Sequence, residues 1–369
     1  MKPLMRWTAA LVAALTVVAG PAPVAADAGS VTLPRPTGPY PVGRDDLHLV
    51  DGDRTDPWVP DGPRHLMVSV WYPAATGRGP HVAYASALES SMFVELFDVR
   101  GAEPDALTRV RTHARAGVPV LRSAGRLPLV LLSPGFGTPR WLQTAIAEDL
   151  ASRGYVVAGV DHTYEAAAIT FPDGRVIGCV LCARADKDPA AIVRSRAEDL
   201  SFVLDRLLGS PRRWPVDPGR VAVAGHSLGG AAAAAVMLAD ARFDAGINMD
   251  GTFHHDVTRE LDRPFLMMGA ASHADPSWPA TWAHLTGWRR WLEVAQVEHF
   301  SFSDAAAFGP LIGEPVQPLA GDRVIEIIRA YDRAFLDRHL RARPRPLLDG
   351  PSPRYPEVSF VGPAPGTPA

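Results

Sequence analysis

Ser227 stands in Gly225-His226-Ser227-Leu228-Gly229-Gly230, behind the apolar run Val221-Ala222-Val223-Ala224 and ahead of the alanines at 231–235. A strand feeding a G-x-S-x-G turn, with a helix leaving it, is the context of a nucleophile elbow. Gly225 and Gly229 give the turn room, while Gly230 and the alanines let the helix lie close to the sheet. The helix N-terminus behind Ser227 favours developing negative charge. A serine hydroxyl is a weak nucleophile at neutral pH. It needs a base within hydrogen-bond reach, a carboxylate to orient that base, and donors for an oxyanion. The chemistry so defined is acyl transfer.

In this arrangement the partners follow in the order serine, acid, histidine. The base is therefore expected late, beyond the last strand, where His299 sits in Val297-Glu298-His299-Phe300-Ser301; His273 and His284 precede that strand. Two acids compete. Asp250 ends the run Ile247-Asn248-Met249-Asp250, and Asp275 follows the next strand in a looser segment. The motif leaves both open. The oxyanion requires two backbone N–H groups, one from the residue after the serine, Leu228, and one from an earlier loop. The turn Ser133-Pro134-Gly135-Phe136-Gly137 supplies the second, from Phe136.

Two further constellations carry chemistry on paper. Cys179 and Cys182, the only cysteines, are spaced C-x-x-C in a loop, and no second pair completes a zinc site. In an exported chain a local disulfide is the economical reading. His254-His255-Asp256 contains adjacent histidines, which point apart on most backbones, so it reads as a solvated helix start. No metal and no cofactor are assigned.

The elements that must position these residues alternate. Strands are expected at 48–50, 65–72, 129–132, 155–160, 221–224, 245–249, 264–268 and 291–297, with helices through Trp141 to Leu150, Asp188 to Leu208, the alanine run after Ser227, and 322–340. Alternation of this kind implies an α/β fold with a mostly parallel central sheet covered by helices on both faces. The first two strands, joined locally, form an antiparallel edge. Residues 80–124 read as a helical insertion. Its apolar group Met92, Phe93, Val94, Leu96 and Phe97 either packs on the core or forms a lid that touches lipid.

The chain resembles the platelet-activating-factor acetylhydrolases of the plasma or type II kind and their bacterial relatives, within the α/β-hydrolases. The resemblance runs from about residue 36 to 340. It rests on Pro36-Thr37-Gly38-Pro39-Tyr40-Pro41-Val42-Gly43, Val70-Trp71-Tyr72-Pro73, Ser133-Pro134-Gly135-Phe136-Gly137, Val160-Asp161-His162, the elbow, Asn248-Met249-Asp250-Gly251 and Glu298-His299-Phe300. It implies Asp250 as the acid, Phe136 and Leu228 as oxyanion donors, and calcium-independent hydrolysis of esters with short or oxidised acyl groups. Bacterial lipases and polyester hydrolases share the S-P-G-F turn and the G-H-S, and a broad-specificity lipase or polyester (cutinase-like) hydrolase is the alternative within enzymes. A hydrolase-fold binding protein without activity is the alternative outside enzymes, and an intact Ser, Asp and His set argues against it.

Composition bounds the setting. The chain has 369 residues, a net charge of -3, 47% hydrophobic and 21% charged residues. This excludes a basic nucleic-acid-binding surface. Lys2 and Arg6, an apolar stretch from Trp7 to Val18 and small residues around Ala26 follow the order of a secretory signal peptide. The expected organisation is a signal peptide at 1–28, one hydrolase domain at 29–345 and a loose proline-rich tail at 346–369. The expected protein is secreted and monomeric, with a small-molecule or lipid ester as substrate and a transient contact with lipid surfaces.

Overall fold

A computed structural model describes residues 29–254 and 259–362. Its centre is a ten-stranded sheet. In chain order the strands are β1 (Val42–Thr55), β2 (Pro63–Pro73), β3 (Arg115–Ala116), β4 (Leu127–Ser133), β5 (Val156–His162), β6 (Val216–His226), β7 (Ala245–Met249), β8 (Phe265–Ala270), β9 (Arg289–Val294) and β10 (Val358–Val361). Across the sheet they lie β10-β9-β8-β7-β6-β4-β5-β2-β1-β3. From β5 to β9 all pairings are parallel, whereas β1 with β2, β2 with β5, and β9 with β10 are antiparallel.

The apolar runs of the central strands follow from burial on both faces. Val130 and Leu132 face one layer, with α2 (Thr144–Ser152) and α6 (Gly321–Arg341); Leu129 and Leu131 face the other, with α3 (Pro189–Leu208), α4 (Leu228–Ala239) and α5 (Ser277–His284). Because the strands from β4 to β9 are parallel, their C-terminal ends open on one edge. Ser133, Ser227, Asp250 and the segment leading to His299 all leave the sheet there, where α/β folds place their ligands.

Two expectations need correction. Residues 80–124 hold only one α-helix of length, α1 (Ala87–Leu96), with single 3₁₀ turns at 106–109 and 122–124 and two-residue strands at 110–111 and 115–116. Gly101 and Gly117 adopt positive φ in this stretch, and Pro104 and Pro119 interrupt it, so helix cannot propagate. The tail is also not loose up to residue 362. Leu348, Tyr355 and Val358 are buried, and Val358–Val361 pairs with Val294 to Trp291 at the sheet edge. An edge strand tolerates the flanking prolines because only one side must bond. The signal-peptide assignment at 1–28 lies outside the described residues.

Candidate active site

Ser227 sits between β6 and α4 with φ 54 and ψ -126. This strained conformation lifts the side chain off the sheet. The glycines explain how the turn closes. A Cβ on Gly225 would meet the Gly229 backbone at 2.2 Å, and one on Gly229 would meet Ser133 O at 2.0 Å.

His299 Nε2 lies 2.9 Å from Ser227 Oγ, and His299 Nδ1 lies 2.6 Å from Asp250 Oδ2. A carboxylate only accepts, so Nδ1–H donates to Asp250 and Nε2 accepts from the serine O–H. Asp250 also has positive φ, at 54, and its Oδ1 accepts from Ala270 N–H at 2.9 Å. Asn248 pins the turn that carries it, bonding Gly251 N–H and Gly251 O at 2.8 Å each. Burial pushes the Asp250 carboxyl up, but hydrogen bonds from His299 and Ala270 and the nearby imidazoles outweigh it and hold it below the ordinary value. Asp275 is engaged elsewhere. Its Oδ1 accepts from Ser277 N–H at 2.8 Å and Ser277 Oγ at 2.6 Å, and its Oδ2 accepts from Thr252. Of the two competing acids, the structure brings Asp250 to His299.

The Ser133 to Gly137 turn lies against the serine. A Cβ on Gly135 would fall 3.3 Å from Ser227 Cβ. Neither Phe136 N–H nor Leu228 N–H donates to another group among the described residues. Phe136 is half-buried and packs with Leu228, Ile192 and Val193. Cys179 and Cys182 are joined by a disulfide in the loop beside this cluster.

Several supporting residues, some of them within the quoted motifs, have partners that the sequence does not disclose. His226 Nε2–H donates to the His299 carbonyl at 2.9 Å, with the two rings 4.7 Å apart. Burial, and then the neighbouring His299, push the His226 ring down to about 3, so it stays neutral and keeps that bond. Beneath the Ser133 to Gly137 turn lies a second Ser-His-Asp chain: Ser133 Oγ is 2.9 Å from His162 Nε2, and His162 Nδ1 is 2.8 Å from Asp199 Oδ2. Burial opposes charge on Asp199, but the Arg64 guanidinium at 2.7 Å keeps it ionised. All four side chains are sealed from solvent. With the same three residue types but no access, this set holds the turn in place. Arg196 bonds Pro134 O at 2.5 Å and Glu165 at 2.6 Å, bracing the turn from its other side.

Ser227, Leu228, Thr252, His254, His273 and His299 line a cleft of about 470 Å³. A separate apolar cavity of about 270 Å³ lies behind α1, walled by Phe93, Phe97, Phe300 and Phe308. Phe93 is buried and the half-buried Phe97 packs on the same core, while Leu88 and Leu96 remain exposed at 53% and 38%.

A mostly parallel sheet with these residues at its C-terminal edge places the chain among the α/β-hydrolases, and its relatives make it a carboxylic ester hydrolase. It is 43% identical to a solved ferulic acid esterase from Streptomyces cinnamoneus, with a TM-score of 0.82, over 90% of this chain and 100% of that one. It is 30% identical to a protein of Arthroderma benhamiae named "Probable 1-alkyl-2-acetylglycerophosphocholine esterase", over 90% of this chain and 94% of that one. It is 25% identical to the platelet-activating factor acetylhydrolase of Cavia porcellus, over 85% and 79%. The family described as platelet-activating factor acetylhydrolase, isoform II, matches residues 25–175. The chain belongs to this family.

Proposed function

We propose that the protein is a secreted serine esterase that cleaves short-acyl lipid or phospholipid esters through an acyl-enzyme. The single observation that carries this reading is the unbroken hydrogen-bond chain from Ser227 Oγ through His299 to Asp250. Ser227 Oγ attacks the ester carbonyl as His299 Nε2 takes its proton, and Asp250 steadies the imidazolium. The tetrahedral oxygen takes N–H bonds from Leu228 and Phe136. Collapse expels the alcohol, which receives the proton from His299. Water, activated by the same imidazole, then releases the acid and restores Ser227. All the groups come from one chain, so a monomer suffices. Acetyl and other short acyl groups are favoured by kinship with the 1-alkyl-2-acetylglycerophosphocholine esterase.

A second reading, hydrolysis of aromatic-acid esters, is favoured by the 43% identity to the ferulic acid esterase. Labelling with a fluorophosphonate tests the shared mechanism. Ser227→Ala should fold, escape labelling and lose about three or more decades of kcat; near-normal turnover in that variant rejects the reading. A panel of acetyl, long-acyl and feruloyl esters then separates the two substrate classes.

A further inference from the structure

We infer that Asp250, His273 and His299 form a binding site for a divalent transition-metal ion of the zinc class, and that occupancy stops hydrolysis. Two imidazoles meet one carboxylate oxygen. Asp250 Oδ2 is 2.6 Å from His299 Nδ1 and 3.3 Å from His273 Nδ1. The three ligand atoms lie within 4.8 Å of one another. The rings of His273 and His299 stand edge to face, 5.9 Å between centroids, so their nitrogens reach the oxygen from different directions. The Asp250 carboxylate is anchored through its other oxygen by Ala270 N–H. His273 and His299 are 42% and 39% exposed, whereas Asp250 is 1% exposed, so an ion enters from the cleft.

Two imidazole nitrogens and one carboxylate oxygen suit zinc, cobalt or nickel, and leave a fourth position for water from the cleft. Calcium and magnesium seek oxygen-rich sites and are poorly served. Hydrolysis needs one imidazole on Asp250, and the second is surplus to it. When the metal takes the Nδ1 lone pair of His299, the proton of that neutral ring moves to Nε2 through solvent, with none gained or lost. Nε2–H then faces Ser227 Oγ at 2.9 Å and cannot accept the serine proton. The loss of activity rests on the proposed roles of Ser227, His299 and Asp250; the binding does not.

Among the described residues, the pair His48 and His65 could compete. His48 Nε2 and His65 Nδ1 are 2.8 Å apart on the β1–β2 hairpin, and no third ligand joins them among the described residues.

The test titrates zinc chloride into the full chain. Wild-type turnover of a soluble acetyl ester is expected to fall by half below about 100 μM zinc and to return with EDTA, as for a three-ligand site. Magnesium and calcium should leave it in place. His273→Ala should raise the half-inhibitory concentration at least about thirtyfold, each variant compared with its own metal-free rate, and His48→Ala should not move it. Cobalt added to Ser227→Ala should show the visible bands of a four-coordinate ion, and His273→Ala in that background should abolish them. The inference is overturned if zinc at about 1 mM fails to bind Ser227→Ala, or if His273→Ala is inhibited as strongly as wild type. Failure of the esterase mechanism shows separately, as turnover by Ser227→Ala before any metal is added.

Discussion

Asp250 and Asp275 both follow strands on the edge where Ser227 emerges, yet they meet different neighbours. Asp250 takes the His299 ring, while Asp275 spends one oxygen on the first residue of α5 and the other on Thr252. Removing the orienting carboxylate acts on the base and its imidazolium more than on substrate binding. Asp250→Asn should therefore cost about four decades in kcat with little change in KM. Asp275→Asn should cost less than about one decade, together with roughly 1 kcal/mol of stability from the lost Thr252 hydrogen bond, which an amide nitrogen cannot accept. Steady-state kinetics and thermal melts on the two variants check both, and the reverse ranking would move the acid to Asp275. At this scale the elbow was legible because its glycines are dictated by contacts within a few residues. His299 was legible from chain order alone. Strand order could not separate the acids, since the choice depends on what fills each carboxylate's surroundings across the sheet. His226 and Asn248 were missed for the same reason: their bonds run to backbone that only the fold brings near.

The elements show where local pattern is a sound guide. Apolar runs such as Leu129 to Leu132 and the spacing in α3 predict strands and helices because burial on a regular surface imposes a period. The 80–124 stretch and the tail defeat that logic, since glycines with positive φ and an edge pairing to β9 decide them. Within α6, Asp332 faces the interior, and neither of its oxygens has a hydrogen-bond partner among the described residues. Burial pushes its carboxyl up to about 8, from 3.8 in an exposed carboxyl. Between those values the folded chain holds a proton that the unfolded chain has released. The stability contribution is whole below about pH 4, falls as pH rises through 8, and is flat above. Asp332→Asn should therefore raise Tm more at pH 8.5 than at pH 5, by on the order of a few degrees. Equal gains at both values would show that Asp332 is ionised in the folded chain. Some slope should remain in the variant, because burial also raises Asp304, despite bonds from Ala145 N–H and Tyr84, to about 8.

For the whole molecule, export and lipid contact make separate claims. If the first 28 residues are a signal peptide, intact mass of the exported protein should place its start near Asp27 or Gly29. Full reduction should then add the mass of two hydrogens, for the single bond between Cys179 and Cys182. A retained Met1, or no mass change on reduction, contradicts the respective claim.

Lipid contact concerns α1. Its Phe93 and Phe97 rings lie 4.7 Å apart, facing inward; Phe93 packs on Trp141 and Phe97 on Phe300. Leu88 and Leu96 are left facing solvent. Leu96 is close to the active edge, since a Cβ on Gly137 would fall 3.6 Å from its Cδ2. Two exposed leucines bury too little area for stable anchoring, on the order of 2–5 kcal/mol if fully inserted. They suffice for a transient contact that brings the cleft to an ester in a lipid surface. The expected rate on acetyl phospholipid therefore exceeds that on long-acyl phospholipid, without a jump above the critical micelle concentration. The double variant Leu88→Ser with Leu96→Ser should lower the ratio of vesicle-borne to soluble-ester turnover by about three- to tenfold. An unchanged ratio would place the lipid contact elsewhere. A sharp activation by long-chain triglyceride above the micelle threshold would make α1 the moving lid of a lipase.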